Sequence, residues 1–294
     1  MENRLIQHPR ALCNIMRRIA VEAGELTLEY YDDAGIAAEV KADGSPVTEA
    51  DRKAEHLIEQ ALADILPDIP FIGEEAVAQG RVPDLNGSDY YWLVDPLDGT
   101  KAFAAGSGEY TVNIALIHKG TPLAGVVYAP VPGELYAGSV DGAAIRYLEE
   151  SGTEKEISVR PIPARGMTIT LSSHPADQET LTRLLEACKV EKIVKCSSSL
   201  KICRIAAGKA DLYPRMGPTR EWDTAAAHAV LSAAGGVIRT LDGNELRYHG
   251  AVGKNFENPG FIACREDFAS LLLATADIDE VTRSPAGSKA RPEA

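Results

Sequence analysis

The stretch Tyr90-Tyr91-Trp92-Leu93-Val94-Asp95-Pro96-Leu97-Asp98-Gly99-Thr100 constrains the fold most, because it drives an apolar run into two acids and a tight turn. Tyr90 to Val94, aromatic and β-branched, reads as a buried strand with Asp95 at its end. Pro96 has no N–H to give a ladder, so it is expected to stop the strand as a central one. It also biases Asp95 to an extended conformation, and Asp98 can then turn back beside it. Two carboxylates so placed repel one another. A divalent cation makes such a cluster tolerable, and all-oxygen ligands select a hard ion such as Mg²⁺ over zinc. Gly99 and Thr100 add flexible backbone and a hydroxyl, which suit a phosphate. Asp-Pro-x-Asp-Gly in isolation is also a common surface turn. The apolar approach argues against that reading, since a turn entered from such a strand starts at the edge of a core.

More acids follow the same pattern. Phe71-Ile72-Gly73-Glu74-Glu75 is a second short strand ending in carboxylates, and if it lies beside Tyr90–Val94, Glu74 and Asp95 share one pocket. Thr48-Glu49-Ala50-Asp51 opens a helix whose apolar face is Ala54, Leu57, Ile58, Ala61, Leu62 and Ile65; there Asp51 has the spacing of a capping box. Trp222-Asp223-Thr224 opens an Ala-rich helix that stops at Gly235-Gly236, where Asp223 has the ordinary job of complementing the helix N-terminus.

The chain has 294 residues, 45% hydrophobic and 25% charged, a globular composition long enough for one large domain or two. Its net charge of −13 argues against nucleic-acid polymers or anionic membranes as partners. Five cysteines, odd in number and without Cys-x-x-Cys spacing, indicate neither a disulfide framework nor zinc, so a reducing cytosol is expected. Met1-Glu2-Asn3-Arg4 lacks the form of a secretory signal, and no apolar run approaches the roughly 20 residues of a membrane span.

A helix is expected over Pro9–Tyr31, a hairpin around Lys119-Gly120-Thr121-Pro122, and further antiparallel strands to Leu148. The polar stretch 149–156 and then Pro161-Ile162-Pro163 mark the candidate boundary. Residues 1–160 are expected to form an α+β domain carrying the acidic motifs. Residues 161–276, where strands and helices alternate, form an α/β domain contributing Asp223, and 277–294 a disordered tail.

Gly73-Glu74-Glu75, Asp95-Pro96-Leu97-Asp98-Gly99-Thr100 and Trp222-Asp223-Thr224-Ala225-Ala226, in that order, resemble the inositol monophosphatase superfamily of metal-dependent, lithium-sensitive phosphatases. Lys41–Asp51, Asp95–Lys101, Gly108–Pro130, Ser197–Lys201 and Tyr213–Ala234 resemble its CysQ-type 3′(2′),5′-bisphosphate nucleotidase branch. The resemblance implies a layered αβαβα sandwich. It implies two or three Mg²⁺ ions held by Glu74, Asp95, the Leu97 carbonyl, Asp98 and Asp223, with Asp51 and Thr100 orienting and deprotonating the attacking water. Substrate would meet Glu74, Leu97, Asp98, Gly99, Thr100 and Asp223, and a 5′-phosphate would be held by His174, Ser198, Lys201 and Arg215. Taken singly, each of these last four residues has an ordinary reading as a loop, turn or solvated helix residue.

The implied reaction is removal of the 3′-phosphate of adenosine 3′,5′-bisphosphate (PAP), and conversion of PAPS to APS, in sulfate assimilation. An inositol or other sugar-phosphate phosphatase would share the metal site without the 5′-phosphate pocket. A non-catalytic metal-dependent nucleotide binder is a third reading. Lys101–Gly106 is blander than the nucleotidase pattern, and Met216 stands where an aromatic is frequent, so adenine contacts are expected to differ. A homodimer, in the cytoplasm or peripheral on the cytoplasmic face of the inner membrane, completes the expectation.

Overall fold

A computed structural model of the chain describes residues 4–31, 39–40, 46–85, 87–171, 177–249 and 256–275. Helix α1 (Pro9–Leu28) begins at a proline, where no helical N–H is lost, and buries Leu12, Met16, Ile19 and Ala23 along one side. Strands β1 (Glu39–Val40) and β2 (Pro46–Val47) pair antiparallel. Helix α2 (Glu49–Ile65) buries Ala50, Ala54, Ile58 and Leu62 at steps of four, together with two acids, Asp51 and Glu55. Leu57, Ala61 and Ile65, expected on that face, are only partly buried.

Seven strands then form one sheet, ordered as in the chain: β3 (Phe71–Gly73), β4 (Tyr90–Asp98), β5 (Thr111–His118), β6 (Thr121–Ala129), β7 (Glu134–Ser139), β8 (Ile145–Leu148) and β9 (Thr153–Glu156). Short helices α3 (Glu74–Ala78) and α4 (Thr100–Ala104) follow β3 and β4. The pair β3–β4 is parallel, with Gly73 opposite Val94, and the remaining pairs are antiparallel. Contrary to expectation, β4 runs on through Pro96. By then β3 has ended, and the pairing with β5 slips between Asp95 and Asp98, so no ladder bond is asked of the proline. Strand β9 falls in the polar stretch leading to the expected boundary. As the last strand of the sheet it exposes Glu154, Lys155 and Glu156, and so shows no apolar alternation.

The rest of the chain comprises β10 (Met167–Leu171), α5 (Gln178–Glu186), β11 (Val190–Lys195), α6 (Leu200–Ala206), β12 (Leu212–Arg215), β13 (Thr219–Arg220), α7 (Glu221–Ala233), β14 (Gly236–Thr240), β15 (Glu257–Asn258), β16 (Phe261–Arg265) and α8 (Glu266–Thr275). Five of these strands make a second sheet in the order β11-β10-β12-β16-β14, and β13 pairs with β15. Among them β14 is not singled out by the sequence; it starts at Gly236, the second of the glycines that stop α7.

Side chains alternate along a strand, so each sheet presents two faces, and here all four are covered. Trp92, Val94, Val112, Ile114 and Val126 of the first sheet pack on α1 and α2. Tyr91, Leu93, Ala115 and Val127, on its other face, pack with Leu200, Ile202, Trp222, Ala226 and Val230 of α6 and α7. The same core takes in Tyr213, Ile238, Phe261 and Ala263 of the second sheet, whose outer face packs on α5 and α8. The order helix, sheet, helix, sheet, helix is the αβαβα sandwich. Helix α7 lies very close to the first sheet: a Cβ on Gly138 would stand 2.8 Å from the Val230 Cα, and one on Gly125 would meet the Ala226 carbonyl. Among the described residues, no helix is long and apolar enough to cross a membrane. The expected tail, 277–294, lies outside the described residues, as does 41–45.

Candidate active site

The acidic turn is built by its own side chains. Asp95 Oδ1 accepts the Leu97 N–H at 3.0 Å, an Asx turn that sets the Leu97 carbonyl at the bend of the strand. Gly99 has φ 106°, which favours glycine, and a Cβ there would stand 2.6 Å from Ser198 Oγ. Ser198, itself at φ 55°, donates its hydroxyl to the Asp98 carbonyl at 2.7 Å, so the loop before α6 is locked onto the turn after β4.

Alternation along β4 places Asp95 on the face of Tyr91 and Leu93, toward α7, and α7 carries Asp223 in its first turn. The parallel pairing of β3 with β4 brings Glu74 beside Asp95, as the repeated pattern of strand and acid implied. Asp95, Asp98 and Asp223 are shifted by burial and by neighbouring acids. Burial pushes the Asp95 carboxyl well above the usual carboxylate range, and Glu74, Asp98 and Asp223 push it further. Burial also raises Asp98, while Lys201 and the Ser199 N–H pull it down and Glu74 pushes it up. Asp223 is pushed well up by burial, then by Asp98 and Glu74, against the Arg220 N–H and Arg215. The capping role of Asp223 is also present, since its Oδ2 accepts the Arg220 N–H at 2.9 Å.

Asp51, 2% exposed, combines two roles. Its Oδ2 accepts the Thr48 N–H at 2.9 Å and the Thr48 hydroxyl at 2.6 Å, the cap anticipated from sequence. Its Oδ1 faces the Thr100 hydroxyl at 3.2 Å, and that hydroxyl also lies 3.3 Å from the Leu97 carbonyl. Lys201 is no solvated helix charge. It is 7% exposed, with Nζ 3.4 Å from the Cys196 carbonyl and 5.4 Å from the centre of the Tyr213 ring. Arg215 donates to the Gly217 and Pro218 carbonyls at 3.1 and 2.7 Å. His174 lies outside the described residues.

Three residues that the spacing did not single out belong to the site. Glu55, one turn after Asp51 on α2, is 2% exposed and accepts the Glu75 and Ala76 N–H groups at 2.7 and 2.6 Å, capping the helix that Glu74 begins. Ser199 gives its N–H to Asp98 Oδ2 at 2.9 Å and its hydroxyl to the Asp223 carbonyl at 2.6 Å. Asn113, opposite Asp95 in the β4–β5 register, donates to Ser199 Oγ at 2.9 Å. For Glu55 the available signal was a second acid on the apolar face of α2. For the other two there was none, because their partners lie 86 or more residues away, or 24 residues on in another helix.

As they stand, no three His, Cys, Asp or Glu side chains among the described residues form a group that could hold a metal ion. The donor chemistry nonetheless fits a hard cation: carboxylates and a backbone carbonyl, all oxygen, carried on the ends of strands and helices.

A model described as the inositol monophosphatase family matches residues 9–278. The chain is 44% identical over 245 residues to the 3′(2′),5′-bisphosphate nucleotidase CysQ of Escherichia coli O157:H7, covering 83% of this chain and 96% of that protein. It is 41% identical over 256 residues to the protein of the same name from Buchnera aphidicola subsp. Acyrthosiphon pisum, covering 86% and 94%. The crystal structure of CysQ from Bacteroides thetaiotaomicron, a bacterial member of the inositol monophosphatase family, matches with a TM-score of 0.69 at 36% identity, over 86% of this chain and 97% of that one. The family match takes in both sheets and every acid of the cluster between them, and the chain belongs to the inositol monophosphatase family.

Proposed function

We propose that the chain is a magnesium-dependent 3′(2′),5′-bisphosphate nucleotidase that converts PAP to AMP and phosphate, and PAPS to APS. The observation that carries the chemistry is the Asp51–Thr100 hydrogen bond, set against the Leu97 carbonyl beside four interacting acids. The substrate rests on identity of 41–44% to proteins named for that activity.

Phosphatases of the family are metal-dependent, generally on Mg²⁺. Glu74, Asp95, the Leu97 carbonyl, Asp98 and Asp223 would hold two or three such ions, which when bound neutralise the phosphate, acidify water and steady the leaving oxygen. The chain's own residues handle the proton. The Thr100 hydroxyl gives its hydrogen to Asp51, the closer of its two acceptors, which Thr48 holds from the other side. A lone pair on Thr100 Oγ1 then orients the attacking water. As the water oxygen bonds phosphorus and the bond from phosphorus to the 3′ oxygen breaks, a water proton passes to Thr100 Oγ1 and the Thr100 proton passes to Asp51. The 3′ oxygen leaves with a proton from solvent, and no phospho-enzyme forms.

Lys201, a buried ammonium near Asp98, is assigned with Ser198, Arg215 and His174 to the 5′-phosphate. Residues 1–160 and 161–276 are read as two domains meeting at this site. A homodimer in the cytoplasm belongs to the same proposal.

Purified chain at fixed Mg²⁺, offered PAP, inositol 1-phosphate and fructose 1,6-bisphosphate, tests the substrate. A kcat/KM favouring PAP by about two orders of magnitude, some 3 kcal/mol in transition-state binding, is expected. Equal or faster turnover of inositol phosphate would make the chain a sugar-phosphate phosphatase instead.

A further inference from the structure

We propose that Ser199 and Asn113 form a positioning relay that fixes Asp98 and Asp223 relative to one another, and so sets the affinity of the site for Mg²⁺. The proposal rests on the assignment of those acids as ligands. Asp98 ends a strand of the first sheet, and Asp223 lies in a helix between the two sheets, 125 residues on in the chain. No local sequence holds them in register; packing of α7 on the sheet brings them near, and a polar group that reaches both fixes the spacing at the site itself.

Ser199 is that group. It is 3% exposed, at the start of α6, and reaches both: its backbone N–H goes to Asp98 Oδ2 at 2.9 Å and its hydroxyl to the Asp223 main-chain carbonyl at 2.6 Å. A serine hydroxyl has a single proton, and the closer acceptor, Asp223, takes it in preference to Asp98 Oδ2 at 3.3 Å. The oxygen must then accept from Asn113 Nδ2 at 2.9 Å, which dictates the orientation of the Asn113 amide. In that orientation Asn113 Oδ1, in a fully buried side chain, has no hydrogen-bond partner among the described residues. An unpaired buried acceptor is costly, and an apolar β-branched residue in the middle of β5 would avoid it. What Asn113 supplies in return is a donor that holds the Ser199 hydroxyl on Asp223. Asn113 also stands opposite Asp95 in the register of β4 and β5.

Groups that orient metal ligands typically change affinity ten- to hundredfold when removed. Mg²⁺ alone is titrated by calorimetry into the full-length wild type, Ser199→Ala, Asn113→Ala and the double variant, with melting curves recorded in metal-free buffer. Ser199→Ala is expected to weaken Mg²⁺ binding about tenfold or more and Asn113→Ala by less. The double variant should match Ser199→Ala, since both act through one hydroxyl. On PAP, raising Mg²⁺ should restore kcat in both single variants, with KM for the nucleotide within about twofold of wild type, as expected when only metal binding is lost. Mg²⁺ affinities within twofold of wild type would overturn the relay, whatever happens to the melting temperature. Wild type that binds no Mg²⁺ would overturn the ligand assignment beneath it. Should Ser199→Ala not fold, Asn113→Ala, which leaves the Ser199 N–H on Asp98, decides alone.

Discussion

Lys201 shows how a residue with an ordinary reading gains a specific one. A lysine at the start of a helix is normally solvated, yet this ammonium is buried with three donors, and its one hydrogen-bond acceptor among the described residues is the Cys196 carbonyl at 3.4 Å. Donors in excess of acceptors inside a protein call for an anion. A charge-assisted contact is worth about 1.5–3 kcal/mol. Lys201→Ala is therefore expected to raise KM for PAP by about one to two orders of magnitude while changing KM for 3′-AMP, which lacks the second phosphate, about twofold. Steady-state kinetics on the two nucleotides checks this, and equal effects on both would remove Lys201 from the 5′-phosphate pocket. Asp51 makes the complementary point: the bonds that cap α2 also hold the carboxylate under Thr100, so the cap itself sets the geometry that the proposed proton transfer uses.

Helix α7 carries Asp223 and rests on two glycines of the first sheet, so its position depends on how closely the sheet lets it approach. Gly125→Ala puts a methyl against the Ala226 carbonyl and within 2.8 Å of the Ala229 Cβ, where only backbone can give way. Overpacking of this kind costs about 1–3 kcal/mol. A fall in melting temperature of several degrees is expected, with weaker Mg²⁺ binding because α7 shifts, and calorimetry with and without the ion checks both. An unchanged Mg²⁺ affinity in the destabilised variant would separate the helix position from the site. Elements such as this one were legible in the chain because their signals are local: the Ala-rich run to Gly235-Gly236, the apolar residues three and four apart in α1 and α2, and the Lys119-Gly120 hairpin. The acids at strand and helix ends were legible for the same reason. The course of β4 through Pro96 was not, since it depends on where β3 ends, and exposed β9 carries no apolar alternation. Ser199 and Asn113 act across the fold, through partners that only tertiary structure brings near.

Taken together, the buried titratable groups set opposite limits on stability. Asp95, Asp98 and Asp223 are raised chiefly by burial, and Glu55 is pushed up to about 8 by burial against the helix N–H groups it caps. A raised carboxyl favours the protonated fold. Its contribution is complete below the ordinary carboxylate range and is lost as pH rises through the folded-state value. His228, pushed down to about 4 by burial and then by Arg239 and Arg247, works the other way: it favours the fold above about 6.5, and that contribution, roughly 3 kcal/mol, is lost as pH falls toward 4. Without Mg²⁺ the raised acids outnumber His228, so the melting temperature is expected to fall as pH rises from the ordinary carboxylate range through their folded-state values, with His228 offsetting part of that fall up to about pH 6.5. Because Mg²⁺ takes ionised carboxylates, it should release protons on binding, bind more tightly as pH rises and stabilise most at the alkaline end. Melting curves from pH 4 to 9, with and without the ion, check this; an increment independent of pH would contradict it.

The most direct measurement is anomalous diffraction from crystals soaked in Mn²⁺, which shares the oxygen preference of Mg²⁺. Peaks are expected at roughly 2.0–2.2 Å from oxygens of Glu74, Asp95, Leu97, Asp98 and Asp223. Manganese found only on solvated surface acids, with Glu74 and Asp223 turned away from Asp95, would contradict the account.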